Sequence, residues 1–379
     1  MKVLIVCEYR ATALQYYRQH IPHACLQDNY DVKVTEVNNG QQKDTSEYIH
    51  GIDKMTDEQL KEFQIVHFLR LVSPTDRTLP ILERCRKLGL KIVFDIDDHW
   101  ELPKYHSQYQ NYKTQRIGDK TIEALKFADL VTTTTNHFAS KLREFNKNVE
   151  VLQNAIDPRQ EQYQSFKTQS PRTRFGWVGG VYHANDLLLL KESIKKIYHK
   201  YYNDIQICLG GFNPNEHYQI YENILTDHWS VFNSDKEYLT YLKKLTPEGD
   251  HVSIDKPYRR LWGTDVSNFA YIYNYIDVCY VPLQPSLFSS CKSELKVIEA
   301  GFMKKAVIVS NVTPYKEVVD SSNALLVTTN DWYTQTRKVM ENKELIEDLG
   351  EALHDRVKDE YHIKTPTEKR YQLYKNLCK

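Results

Sequence analysis

The chain has 379 residues, more than one ordinary core accommodates and comfortable for two domains. Fifty Lys and Arg balance fifty Asp and Glu, so no global field draws it to nucleic acid or an anionic membrane; only a local basic groove stays open to it. Seven cysteines stand singly with no C-x-x-C pair and no Cys/His metal spacing, and no apolar run is long enough for a transmembrane segment.

The first strand is expected at KVLIV (2–6), which leaves no room for a signal peptide, so a cytoplasmic protein with reduced thiols is expected. Further strands are expected at DVKVTEV (31–37), IVHFLRL (65–71), KIVFDID (91–97), DLVTTTT (129–135) and VEVLQN (149–154). Between them, stretches such as 76–89 and 117–128 repeat apolar residues every three or four positions and predict helices. Residues 155–173 are polar, hold two prolines and lack apolar periodicity, as a linker does. The alternation then restarts with RFGWVGG (174–180), a helix near 185–200, IQICLGG (205–211), HVSIDKP (251–257), DVCYVPL (277–283), AVIVSN (306–311) and ALLVTT (324–329). The closing stretch, 343–378, is helical and charged.

Strands alternating with helices predict an α/β protein with two doubly wound, Rossmann-like domains. The expected boundaries are 1–156 for the first domain, 157–173 for the linker and 174–342 for the second, with helices over 343–379 packing back toward the first. Ligands of such sheets bind beyond the carboxyl ends of the strands, so the cleft between the domains is the expected site.

Two stretches carry candidate chemistry. RFGWVGGVYHANDL (174–187) reads as strand, glycine pair and helix, with Asn185 or Asp186 as N-cap. Gly179 and Gly180 let the backbone approach a ligand, and amides at the helix start suit an anion; a plain tight turn is the alternative. His183, at that turn, either donates to a phosphate oxygen or lies on the surface. In SSCKSELKVIEAGF (289–302), a helix is expected from Lys292 or Ser293, with its polar residues at the entry end. A pyrophosphate there would place a neighbouring ribose near Glu299, about two turns on.

With the strand AVIVSN and the pair Pro314–Tyr315 that follow, the second stretch resembles the donor-site signature of GT-B glycosyltransferases of the large retaining "group 1" family. The subtype is the one with K-S-x-L-K-x-x-E, matched by Lys292, Ser293, Leu295, Lys296 and Glu299. DVCYVPLQPSLF, VLQNAID (151–157), WVGGVYHANDL, YYRQHIP (16–22) and DIDDHWELP are similar to further elements of that family, so the resemblance covers nearly the whole chain. It implies a GT-B fold of two Rossmann-like domains facing each other across a cleft, a nucleotide-diphosphate sugar as co-substrate, and transfer with retention. It also implies donor binding by Gly179, Gly180, His183, Lys292, Ser293, Lys296 and Glu299. Two departures stand out. The first of the family's two Glu residues falls on Cys291, and the usual GR…KG base pair is absent, with His183 its nearest substitute.

FDIDDHWELP (94–103) poses a separate question, because an Asp-x-Asp pair after a strand is how a metal-dependent sugar-nucleotide enzyme holds its ion. A GT-B enzyme neutralises the diphosphate with Lys, Arg and helix dipoles, so no metal and no other cofactor is expected here. Asp95 is expected as a partly buried, satisfied carboxylate. Asp97 and Asp98 are read as catalytic acceptor-side groups that bind a hydroxyl or ease its proton away, or else as a cap on the next segment. Lys292 is the expected catalytic cation for the leaving diphosphate. Arg18 is expected either on the donor phosphates or in a surface ion pair, Arg70 and Trp100 on the acceptor, and His67 in the core or the cleft. Arg259 and Arg260 either meet an anionic acceptor or are solvated.

The expected acceptor is a growing glycan or small carbohydrate in polysaccharide assembly, bound by the loops 38–60 and 99–117. The second loop interleaves Trp100, Tyr105, Tyr109 and Tyr112 with Lys104, Lys113 and Arg116, which suits sugars or the bases of a nucleic acid. A modified base in DNA, as in phage glycosyltransferases, is therefore the alternative acceptor. A nucleotide-sugar-binding protein without turnover is the rival from another class, and a nucleotide-sugar epimerase the third reading.

Overall fold

The computed structural model describes residues 1–8, 13–41, 47–166, 168–216, 218–227, 230, 232–233, 235–246 and 255–379, apart from the side chains of residues 41 and 241. The chain divides into two compact units: Met1–Ala155 with Ser286–Ser293 and Tyr361–Lys379, and Ile156–Pro285 with Glu294–Glu360.

Unit 1 is built on seven strands: β1 (Lys2–Glu8), β2 (Lys33–Gln41), β3 (Tyr48–Ile49), β4 (Ile65–Leu69), β5 (Lys91–Asp95), β6 (Leu130–Thr133) and β7 (Val149–Val151), in the order β3-β2-β1-β4-β5-β6-β7. All pairings are parallel except that of β3, which runs antiparallel to Gly40–Gln41 of β2. Strands covered on both faces need apolar residues at every position, and Val3–Cys7 and Ile65–Phe68 are buried without a break. The helices Ile21–Asn29 and Lys364–Leu377 pack together, with Tyr30 stacked on Tyr371 at 4.0 Å between ring centroids. Thr78–Lys87, Ile117–Phe127 and Asn136–Leu142 bury Ile81, Leu82, Leu125, Phe138 and Leu142 in a second core layer, which Cys291 joins. The small strand β3 was not expected. Polar residues NNGQ end β2 and carry no apolar signal, and residues 42–46 of the loop 38–60 lie outside the described residues.

One buried ion pair ties unit 1 together. Residues Tyr16–His20 form a π-helical turn. From it Arg18 donates to both oxygens of Asp95, at 2.8 and 2.6 Å, and to the Leu152 carbonyl at 2.5 Å and Asn154 Oδ1 at 3.2 Å. Thr132 Oγ1 donates to Asp95 at 2.5 Å. Arg18 is 1 % exposed and Asp95 is fully buried, so Arg18 lies neither in a surface ion pair nor at a phosphate-facing surface. Nearby, burial holds the His23 and His67 imidazoles well below their ordinary pKa, as neutral core residues.

Unit 2 holds β8 (Thr173–Val178), β9 (Ile205–Phe212), β10 (Tyr258–Trp262), β11 (Val278–Val281), β12 (Ala306–Ser310) and β13 (Leu325–Val327), in the order β10-β9-β8-β11-β12-β13. Every pairing is parallel, and the order reverses between β8 and β11, as in dinucleotide-binding sheets. The helix Leu295–Phe302 approaches Glu344–Val357 closely at Gly301, where a β-carbon would meet Val357 at 2.7 Å. Of the strand expected at 251–257, residues 251–254 lie outside the described residues, and the strand found begins at Tyr258. Its arginines hid it. Arg260 is paired with Glu222 at 2.6 Å and Arg259 lies over the Tyr275 ring at 4.9 Å, so both are held within unit 2. Among the described residues no helix is long and apolar enough to cross a membrane.

Removing one partner of a buried ion pair strands the other charge. Asp95→Ala is therefore expected to lower the unfolding free energy by about 3–5 kcal/mol in a urea titration, and Arg18→Met combined with Asp95→Leu to cost less than Asp95→Ala alone.

Candidate functional site

In unit 1 the carboxyl ends of β4 and β5 carry a charged cluster. Arg70 follows β4 in the left-handed region, at φ 59°, which is uncommon for a residue with a side chain and costs about 1–3 kcal/mol. Its amide donates to the Asp95 carbonyl at 2.7 Å, fixing that conformation. The guanidinium then meets Asp97 through Nε at 3.0 Å and Nη2 at 2.8 Å, and Asp98 through Nη2 at 2.7 Å. Lys292 Nζ stands 3.5 Å from the other oxygen of Asp98 and 4.5 Å from the centre of the Phe288 ring. Burial, and then the charge of Asp98, push the Asp97 carboxyl upward against the opposing pull of Arg70. A carboxylate in that state accepts a proton more readily than a free one.

The structure thus brings together Arg70, Asp97, Asp98 and Lys292. Asp95 is occupied by Arg18 and Thr132, while Asp97 and Asp98 are occupied by Arg70 and Lys292. Tyr112, one of the aromatics of the loop 99–117, stands half-buried beside this cluster, next to Arg70. Trp100 is 8 % exposed; it stacks on His99 at 4.4 Å and meets Phe145 edge-on, so most of the ring is core. Its remaining edge helps line a cavity of about 510 Å³ with Leu102, Tyr109, Tyr112, Lys113 and Arg116.

The helix expected from Lys292 or Ser293 begins later, at Leu295. Ser286 caps a separate short helix, Leu287–Ser290, and the Lys292 amide closes its last turn on the Ser289 carbonyl at 3.2 Å. The Ser293 hydroxyl accepts from Asn154 Nδ2 at 2.9 Å. Cys291 is fully buried in the unit 1 core, and burial pushes its thiol up to about 11. It offers no polar group in place of a Glu.

In unit 2 the second constellation gathers at the carboxyl end of β8. Lys296 Nζ donates to the Val178 carbonyl at 2.6 Å and lies 4.5 Å above the Trp177 ring. Gly179 is required by this packing, because a β-carbon there would run into Lys296 Nζ and stand 2.7 Å from Trp177. Gly180 faces open space, with nothing within 4 Å of an added β-carbon. The helix at 184–187 starts after His183, and neither Asn185 nor Asp186 caps it. Asp186 instead accepts from the Gln284 amide at 2.8 Å and binds His183 Nδ1 at 2.9 Å, orienting the imidazole. Glu299 is 5 % exposed and accepts from the Tyr273 hydroxyl at 3.0 Å.

Beside this turn lies a cavity of about 770 Å³, lined by Gly211, Tyr218, Gly263, Asp265, Phe269 and Tyr271 among others. Tyr218 donates to the Gly179 carbonyl at 3.2 Å, which makes the glycine turn and the cavity neighbours. Tyr273, the partner of Glu299, belongs to the 3-10 helix Phe269–Tyr275 that walls it. None of these lining residues was singled out from the sequence. The glycine pair ending IQICLGG was the available signal: Gly211 takes φ +86°, and its β-carbon would meet the Gly179 carbonyl at 2.6 Å.

No family model and no curated protein matches the chain in sequence. Solved structures do match in fold. A sucrose-phosphate synthase from Thermosynechococcus elongatus aligns with TM-score 0.65 at 14% identity, over 99% of this chain and 98% of its own. A glycosyltransferase from Rickettsia africae gives 0.64 at 13%, over 100% and 98%. Anabaena HepE in complex with UDP-glucose gives 0.60 at 11%, over 99% and 100%. The chain has the α/β GT-B fold of these glycosyltransferases, with two Rossmann-like domains. At such identities the likeness shows the fold and leaves the chemistry to the residues.

The two glycines separate packing from access. Gly179→Ala is expected to cost about 1–3 kcal/mol in a denaturant titration, because Trp177 is fixed in the core. Gly180→Ala is expected to stay within about 0.5 kcal/mol of the parent.

Proposed function

We propose that the protein is a glycosyltransferase that moves a sugar from a nucleotide-diphosphate donor to an acceptor hydroxyl, with retention and without a metal requirement. The observation that carries this reading is the convergence, at the carboxyl ends of β8 and β9, of the open Gly180 turn, Lys296, the oriented His183 and the neighbouring cavity. A nucleoside in that cavity directs its diphosphate to the turn, where Lys296 and His183 meet the negative charge. Glu299, already an acceptor for Tyr273, is suited to a ribose hydroxyl. The complexes of HepE with UDP and UDP-glucose support a uridine donor.

In the proposed reaction the bond from the anomeric carbon to the diphosphate oxygen breaks, and its electron pair leaves with the diphosphate. The acceptor oxygen bonds to the same face of that carbon, and its proton passes to Asp97. Asp98 and Arg70 orient the hydroxyl, and Lys292 balances the charge that develops. The cavity lined by Trp100, Tyr109 and Tyr112 supports a carbohydrate acceptor, since aromatic edges and polar groups together suit a sugar ring. One observation favours the rival reading, a donor-binding protein without turnover: Cys291, which stands where the resemblance places the outer Glu, is sealed in the core.

A thermal-shift panel of uridine, guanosine and adenosine diphosphate sugars tests the donor assignment. One class should stabilise the protein, and Lys296→Ala should weaken its binding by roughly tenfold or more, in line with a charge-assisted hydrogen bond. If no member of the panel shifts the melting temperature, the assignment fails.

Slow hydrolysis of the stabilising donor by pure protein separates transferase from binder. Asp97→Asn should lower kcat by roughly 10²–10⁴-fold, the span of general acid–base catalysis, while donor binding stays within about twofold. Turnover should be unchanged by added magnesium or manganese.

A further inference from the structure

Away from both constellations, three unlike donor groups meet on one face of the unit 1 sheet. Strands β1 and β2 are in register with Ile5 opposite Glu36, so Cys7, two residues on from Ile5, shares a face with Glu36. His20 ends the π-helical turn Tyr16–His20. Cys7 Sγ, a ring nitrogen of His20 and a carboxylate oxygen of Glu36 all lie within 4.8 Å of one another.

The pair His20 Nε2 and Glu36 Oε2 is 3.4 Å apart. A tetrahedral ion holding both at its usual bond lengths separates them by about 3.4 Å. His20 Nε2 is shut off from solvent yet makes no hydrogen bond, so its proximity to Glu36 does not satisfy it. A shared cation would. The Cys7 thiol is buried and donates to Gln19 Oε1 at 3.3 Å, whereas the side chains of His20 and Glu36 are 30% and 39% exposed. The site thus joins a buried thiol to two side chains that reach the surface, and a tetrahedral ion on these three ligands keeps a fourth position for water.

We propose that Cys7, His20 and Glu36 form a structural site for a zinc-class divalent cation. Thiolate, imidazole and carboxylate together select zinc or cobalt over magnesium or calcium, which take oxygen ligands. On binding, the Cys7 S–H bond breaks, the thiolate bonds to the metal and the proton passes to solvent. Thiolate and carboxylate offset the two positive charges. The bound ion joins β1 and β2 to the π-helical turn that carries Arg18 and Gln19, so its effect is on the rigidity of unit 1. This assignment is independent of the proposed reaction.

The test is a cobalt(II) titration of the full-length, metal-stripped chain carrying Cys378→Ser, which removes the exposed thiol. The expected result is saturable binding with tetrahedral visible bands and a thiolate-to-cobalt charge-transfer band, displaced by zinc, together with a raised melting temperature in zinc. Glu36→Gln, a surface change, and His20→Ala should each weaken binding by more than roughly tenfold, the least that loss of even an outer-shell partner costs. Cys7→Ser should remove the charge-transfer band. Absence of saturable binding, binding without a thiolate band, or binding indifferent to both Glu36→Gln and His20→Ala would each overturn the assignment.

Discussion

The ion pair between Arg18 and Asp95 is the constraint on which unit 1 depends. Two charges withdrawn from water are tolerated only when every remaining donor and acceptor around them is met. Meeting them enlists the π-helical turn at Tyr16–His20, the end of β5, Thr132 of β6, and Leu152 and Asn154 just after β7. Segments far apart in the chain are held to one geometry by a single guanidinium. The same network sets the neighbouring cluster, because the Asp95 carbonyl receives the Arg70 amide and holds Arg70 left-handed. The first acid of DIDD is therefore structural, and it positions the cation that serves the other two.

Unit 2 solves a similar problem with a smaller device. Lys296 is fixed by a strand-end carbonyl and an indole face, and that placement leaves no room for a side chain at Gly179. Lys296 is the cation proposed above for the diphosphate of the donor. Tyr218 and Gly211 pass the constraint on to the adjoining cavity, so the turn and the cavity wall are one construction.

Much of this was legible in the residues. Most parallel strands announced themselves as short runs rich in apolar residues between helix-like stretches, and eleven of the runs expected as strands coincide with strands of the two sheets. The exceptions have local causes. Strand β10 carries two arginines whose charge is offset by Glu222 and by the Tyr275 ring, partners far away in sequence. Strand β3 is a short edge strand with no pattern to read. The helix at 295–302 starts late because Ser286 caps a turn that consumes Lys292, and Asp186 is withdrawn from capping by His183 and Gln284.

Periodicity and residue type, which are local properties, determined the α/β alternation, the glycine turn at 179–180 and the set of charged residues worth watching. Tertiary structure alone decided which cation each acid receives. Arg18, Arg70 and Lys292 are equivalent in a sequence, since each is a long side chain with a positive end. Burial distinguishes them: Arg18 is sealed against Asp95, while Arg70 and Lys292 stand partly exposed on Asp97 and Asp98. The strength of a charge depends on how much water remains around it, and that is fixed only when distant segments close over it.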